Sequence, residues 1–91
     1  MSSCLRIRAV SFAGDTIIVR FSNDREITIP LSYFPRLETA GEAERNRWSL
    51  IGRGLGLGVH WEALDEDLSV ENFLTAYSRH HKGAYARAAD F

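Results

Sequence analysis

The chain has one cysteine, Cys4, and two prolines, Pro30 and Pro35. A lone cysteine can form neither an intrachain disulfide nor a cysteine-based zinc site, so it reads as a free thiol in a reducing compartment. An excess of one charge is also missing. Eleven basic against 12 acidic residues leave a formal net charge of -1, whereas a dedicated nucleic-acid binder usually carries a basic surplus. No apolar run approaches the ~20 residues that span a bilayer. The first residues lack the basic-then-apolar order of a secretory signal. Internal repeats and low-complexity linkers are absent as well. These absences lead to the expectation of a cytoplasmic protein with no membrane association.

What is present suffices for one core. Ninety-one residues with 45% hydrophobic and 25% charged side chains match an ordinary globular composition, and the length fits one domain spanning residues 1–91. A chain of this size buries somewhat over ~60% of its unfolded surface.

The first third reads as a β-meander. Ile17, Val19 and Phe21 alternate with Thr16, Arg20 and Ser22, the period of a strand with one wet face. Ile27 and Ile29 alternate with Glu26 and Thr28. Ser22-Asn23-Asp24-Arg25 between them suits a tight turn. In the first strand Leu5 and Ile7 are out of phase with Val10 and Phe12. A bulge near Ala9, or a strand covered on both faces, reconciles the two halves. Pro30, which cannot donate to a ladder, closes the third strand.

Two helices are expected after the meander. Thr39-Ala40-Gly41-Glu42 has the form of a capping box and predicts a helix from about Ala40 to Leu50. Leu37, Ala40, Trp48 and Ile51 share its apolar stripe, with Glu44 as an intruder. Gly52, Gly54, Gly56 and Gly58 then form a connector to a fourth strand, in which Leu57, Val59 and Trp61 point inward and His60 and Glu62 outward. Ser69 is a suitable cap for a second helix with Val70, Phe73, Leu74 and Tyr77 at i, i+3, i+4, i+7. Arg79, His80, His81 and Lys82 suit the negative end of that helix. Residues 76–91 are expected to form its end and a tail. The predicted class is α+β: an antiparallel sheet made of the meander plus a fourth strand, with two helices packed on one face.

No chemical motif emerges. The glycine series lacks both the G-x-G-x-x-G spacing and the Lys-Ser/Thr of a phosphate loop. Glu62, Asp65, Glu66 and Asp67 lack the calcium-loop pattern, and acids ahead of a helix complement its positive N-terminus. His60 has no sequence-adjacent nucleophile, and His80-His81 lacks the i, i+4 spacing of paired helical ligands. Catalytic, cofactor-binding and metal residues are therefore expected to be none. Tyr33 and Phe34, flanked by two prolines, cannot easily both point inward, so their loop is the best contact site.

Four spaced blocks carry a resemblance. They are Pro30-Leu31-Ser32-Tyr33-Phe34-Pro35-Arg36-Leu37; Glu44-Arg45 with Trp48; Gly58-Val59-His60-Trp61; and Leu64-Asp65-Glu66-Asp67-Leu68-Ser69-Val70. Over about residues 8–75 the chain resembles the bacterial family called domain of unknown function 2442. Tyr33 stands where that family usually has Trp, Glu62 where it has Pro, and Asp24-Arg25 where it has Asp-Gly. The resemblance implies an α+β fold. It also implies a protein partner, since relatives are often encoded beside a second small protein in a toxin–antitoxin-like arrangement. It transfers no catalytic residue.

The leading functional expectation is a non-enzymatic module that binds a small protein or itself, with a homodimer formed through a sheet edge or the aromatic loop. Its candidate surface comprises Tyr33, Phe34, Arg36, His60, Glu62, Asp65, Glu66 and Asp67. One alternative is a nucleic-acid-linked regulator using Arg6, Arg8, Arg20 and Arg25 with the Arg79–Lys82 cluster. Another is a metal-assisted hydrolase using His60 with Asp65 and Glu66.

Overall fold

A computed structural model describes residues 5–80. The expected meander is formed by β1 (Ile7–Ala13), β2 (Thr16–Phe21) and β3 (Glu26–Pro30), antiparallel in that order. Val10, Val19 and Ile27 align across the sheet, as do Phe12, Ile17 and Ile29. The phase change in β1 is a bulge: the register shifts between Ile7 and Ala9, so Ile7 and Val10 both face the core while Arg8 stays exposed. At the β2–β3 turn Asp24 takes a left-handed conformation, φ 67°, which Asp tolerates better than most residues. The Asn23 side chain accepts from the Arg25 amide at 3.0 Å.

After β3 the chain makes a 3₁₀ turn at Leu31–Tyr33 and one helical turn, α1 (Pro35–Glu38). Pro35 occupies the first turn of α1, where a missing N–H costs nothing.

The helix expected from Ala40 to Leu50 is corrected to one turn, α2 (Glu42–Arg45), followed by β4 (Trp48–Ile51). The cap also moves. Thr39 donates to the Pro35 carbonyl, while Glu44 reaches back to the Gly41 amide at 3.0 Å. Capping keeps Glu44 exposed, so the intruder in the predicted stripe marked a real conflict. Trp48 and Leu50 instead alternate with Ser49, as strand residues do.

The fourth strand is likewise not an addition to the meander. β5 (Gly58–Trp61) lies between β4 and β6 (Glu66–Ser69) in a second three-stranded antiparallel sheet. The class remains α+β, with two small sheets in place of one. A 3₁₀ turn at Glu62–Leu64 joins β5 to β6, and α3 (Val70–His80) follows directly. The predicted cap of α3 is present and reciprocal: the Asn72 amide donates to Ser69 Oγ at 3.1 Å and the Ser69 amide donates to Asn72 Oδ1 at 2.8 Å.

One core joins both sheets and α3. Ile17, Val19, Phe21 and Ile29 from the meander, Val59 and Trp61 from β5, and Phe73 from α3 are fully buried in it. Trp48 packs against its edge, half-buried. The Trp61 indole N–H donates to the Arg45 carbonyl at 2.8 Å, so α2 is held to the second sheet by a satisfied polar tip. Among the described residues, no helix is long and apolar enough to cross a membrane.

The glycine segment forms the β4–β5 hairpin loop instead of a helix-to-strand connector. Gly56 sits at φ 81°, and a Cβ there would collide with the Ile7 backbone. The close approach allows the Ile7 amide to donate to the Gly56 carbonyl at 2.8 Å. The loop that leads into β5 is thus tied to the start of β1. Leu57, expected inward, is 50% exposed, and Leu55 is 53% exposed. The register carrying Val59 and Trp61 inward breaks before Leu57, whose side chain lies over Gly52.

Candidate functional site

The eight candidate surface residues fall on three neighbouring elements: the Tyr33–Arg36 segment, the end of β5 with its 3₁₀ turn, and β6. Tyr33 and Phe34 divide as their setting requires, with Tyr33 36% exposed and Phe34 buried. The Phe34 ring meets Phe73 edge to face, centroids 5.5 Å apart. Its place on the candidate surface is therefore corrected. Phe34 forms the floor, because a benzyl side chain over Phe73 gains more from burial than from exposure. Tyr33 remains at the rim, its ring against His80 at 5.9 Å.

Arg36 connects α1 to β6. Its Nη1 donates to the Leu64 carbonyl at 3.0 Å, and its Nε stands 3.8 Å from Glu66 Oε1. The acidic run is not the approach to a helix that it was expected to be. Asp65 turns the chain with φ 52°, and Glu66 and Asp67 belong to β6. The cause is pairing with β5, where Trp61 faces Glu66 and His60 faces Asp67. His60 Nδ1 and Asp67 Oδ1 are hydrogen-bonded. Glu62 and Asp65 stay exposed on the turn.

Between these elements runs an open groove of about 490 Å³. Its strand wall is Glu66, Asp67 and Leu68, its loop wall Tyr33 to Pro35, and its helix wall Asn72, Thr75, Ala76 and Arg79. The structure thus brings Tyr33, Phe34, Glu66 and Asp67 to one groove, with Arg36 ion-paired to Glu66 and His60 hydrogen-bonded to Asp67. The helix wall was missed. Ala76 follows Phe73 by three residues, and a small side chain on the core stripe leaves room beside it, which is a readable signal.

A second arrangement was also missed. Ser49 lies opposite His60 across β4 and β5, and His60 opposite Asp67 across β5 and β6. A serine, a histidine and an aspartate therefore form one row on the outer face of the second sheet. The nucleophile absent from the neighbouring sequence is present through pairing.

The arginines offered for nucleic acid are partly engaged. Arg8 pairs with Asp24 at 3.0 Å and Arg20 with Glu26 at 3.3 Å. His81 and Lys82 of the proposed basic cluster lie outside the described residues, as does the tail beyond them. For the hydrolase alternative, no group of three His, Cys, Asp or Glu side chains among the described residues is placed to hold a metal ion.

The family model described as "Protein of unknown function (DUF2442)" matches residues 7–78. No curated protein matches the chain. A similar solved structure is that of a protein of unknown function from Rhodospirillum rubrum ATCC 11170, determined at 2.75 Å resolution. It is 25% identical with a TM-score of 0.66, over 80% of this chain and 88% of that chain.

Proposed function

The chain belongs to the DUF2442 family, and from that premise we propose that it is a non-enzymatic protein-binding module whose contact site is the groove between Tyr33, β6 and α3. One observation carries the reading. The groove joins an exposed aromatic rim, an apolar floor and convergent polar groups, the mixture found where proteins recognise one another. Its walls come from a loop, a strand and a helix packed on one core, so the surface is organised before a partner arrives.

The non-enzymatic part rests on the Ser49–His60–Asp67 row. Acyl transfer needs amide donors aimed above the nucleophile. Ladder amides lie in the plane of the sheet and point along it, not above it. The row has a histidine held by a carboxylate but sits on a flat face of in-plane amides.

The experiment is affinity purification of the wild-type protein and of the double variant Tyr33→Ala/Thr75→Arg from the cells that make it. A specific partner is expected with the wild type and not with the variant. A partner retained equally by both would place the contact elsewhere and end this reading.

Self-association is the second reading, favoured by the exposed Leu55 and Leu57 on a loop pinned to Ile7. It predicts a dimer in sedimentation equilibrium that dissociates on Leu55→Ser/Leu57→Ser.

A further inference from the structure

The occupant of the groove can be narrowed, given the binding-module reading on which this inference rests. β6 is an outer strand of its sheet, and two hydrogen bonds fix its backbone parity. The Val70 amide donates across to the Leu57 carbonyl at 3.3 Å, and the Ser69 amide turns away to Asn72 Oδ1. In an antiparallel ladder, successive residues alternate between facing the neighbouring strand and facing away. Asp67 has the parity of Ser69, so its N–H and C=O face away from β5, toward the groove it lines.

The usable edge is short. Arg36 holds the Leu64 carbonyl on one side, and Asn72 holds the Ser69 amide on the other. Between them Asp67 offers one donor and one acceptor, the complement of a single residue of an added strand.

The Glu66 carboxylate lines the same space, with its side chain 22% exposed. Arg36 Nε at 3.8 Å is an ion-pair neighbour beyond hydrogen-bond reach. An ionised carboxylate has about four acceptor sites, so Glu66 retains capacity for N–H donors. Tyr33 stands at the rim, where its ring can face a cation. Arg79 on the opposite wall opposes a second positive charge.

We propose that the groove takes an extended segment of a protein partner that carries one lysine or arginine. Its backbone pairs with Asp67, and its cation sits at Glu66 beside Tyr33. A run of basic residues is disfavoured by Arg79. A second copy of this chain is disfavoured too: pairing two β6 edges through Asp67 sets like charges opposite one another, which destabilises a ladder.

Selection of a phage-displayed library of random peptides of about nine residues on the intact protein tests this. Enriched sequences are expected to share a single Lys or Arg among β-forming residues. A synthetic peptide from that set should lose about tenfold in affinity on Glu66→Gln, the scale of one charge-assisted hydrogen bond. It should lose at least as much when the peptide amide beside the base is N-methylated, and Thr75→Arg should abolish binding. The proposal fails if no consensus appears, if the consensus lacks a base, or if Glu66→Gln and N-methylation leave affinity unchanged. If a cellular partner is still lost on Tyr33→Ala/Thr75→Arg while these peptide results fail, the groove stands as a protein site and only the basic strand-like ligand is rejected.

Discussion

Phe34 stands edge to face against Phe73, the two rings inclined by 68°, although the residue before it, Tyr33, faces solvent. Adjacent aromatics in one loop thus have different tasks. Phe34→Ala should lower stability by about 3 kcal/mol or more, the usual cost of deleting a buried ring. Tyr33→Ala should cost under ~1 kcal/mol, as surface changes do. Urea unfolding of the two single variants checks this, and equal losses would contradict the division.

Gly56→Ala should be among the most damaging single-methyl changes in the chain. It adds a Cβ against the Ile7 backbone at a residue with φ 81°, so strain and collision act together, at a cost of roughly 1–3 kcal/mol from the backbone alone. Gly54→Ala, with φ 82° but open space around it, should cost less. Thermal melts of the pair separate collision from strain.

The reciprocal cap of α3 gives a third expectation. Ser69→Ala removes the acceptor of the Asn72 amide and should cost about 1 kcal/mol. Asn72→Ala releases the Ser69 amide and should cost a similar amount. Because the two groups form one unit, the double variant should lose less than the sum, which a double-mutant cycle measures.

The Ser49–His60–Asp67 row should be chemically quiet. A fluorophosphonate serine probe is expected to leave the protein unmodified at concentrations that label a serine hydrolase fully, because ladder amides do not point above the sheet face. Stoichiometric labelling at Ser49 that disappears in His60→Ala would show an activated nucleophile and reverse the non-enzymatic proposal.

The meander was legible because its alternation serves one buried face, so Ile17, Val19, Ile27 and Ile29 declare themselves without reference to anything distant. Even the bulge at Arg8 left its trace in the phase of Val10 and Phe12. The second sheet was hidden because its strands are four residues each, too short for a period to exclude a helix. Trp48 fits a helical wheel with Ile51 almost as well as it fits the ladder with Trp61 that holds it. Glu66 and Asp67 read as a helix approach because their strand character comes from β5, not from their own preferences. For the site, the loop and strand walls were accessible to reading, since unusual residues lie close together there. Ser49 was not, since it joins the others only through pairing between segments far apart in the chain, and the helix wall left a single trace, the small Ala76 on the core stripe.

The hydrogen bond from the Ile7 amide to the Gly56 carbonyl also bears on the order of assembly. It links the first strand to a loop that emerges much later in synthesis. Contacts between such separated segments are the slow part of folding, because loop closure precedes their reward. The meander can collapse early on its own isoleucines, but its outer strand lacks this backbone partner until the glycine loop is made. During that interval the nascent chain exposes an unpaired strand end, so the period in which it is most exposed to wrong pairing is set by the time taken to translate from β3 to Gly56.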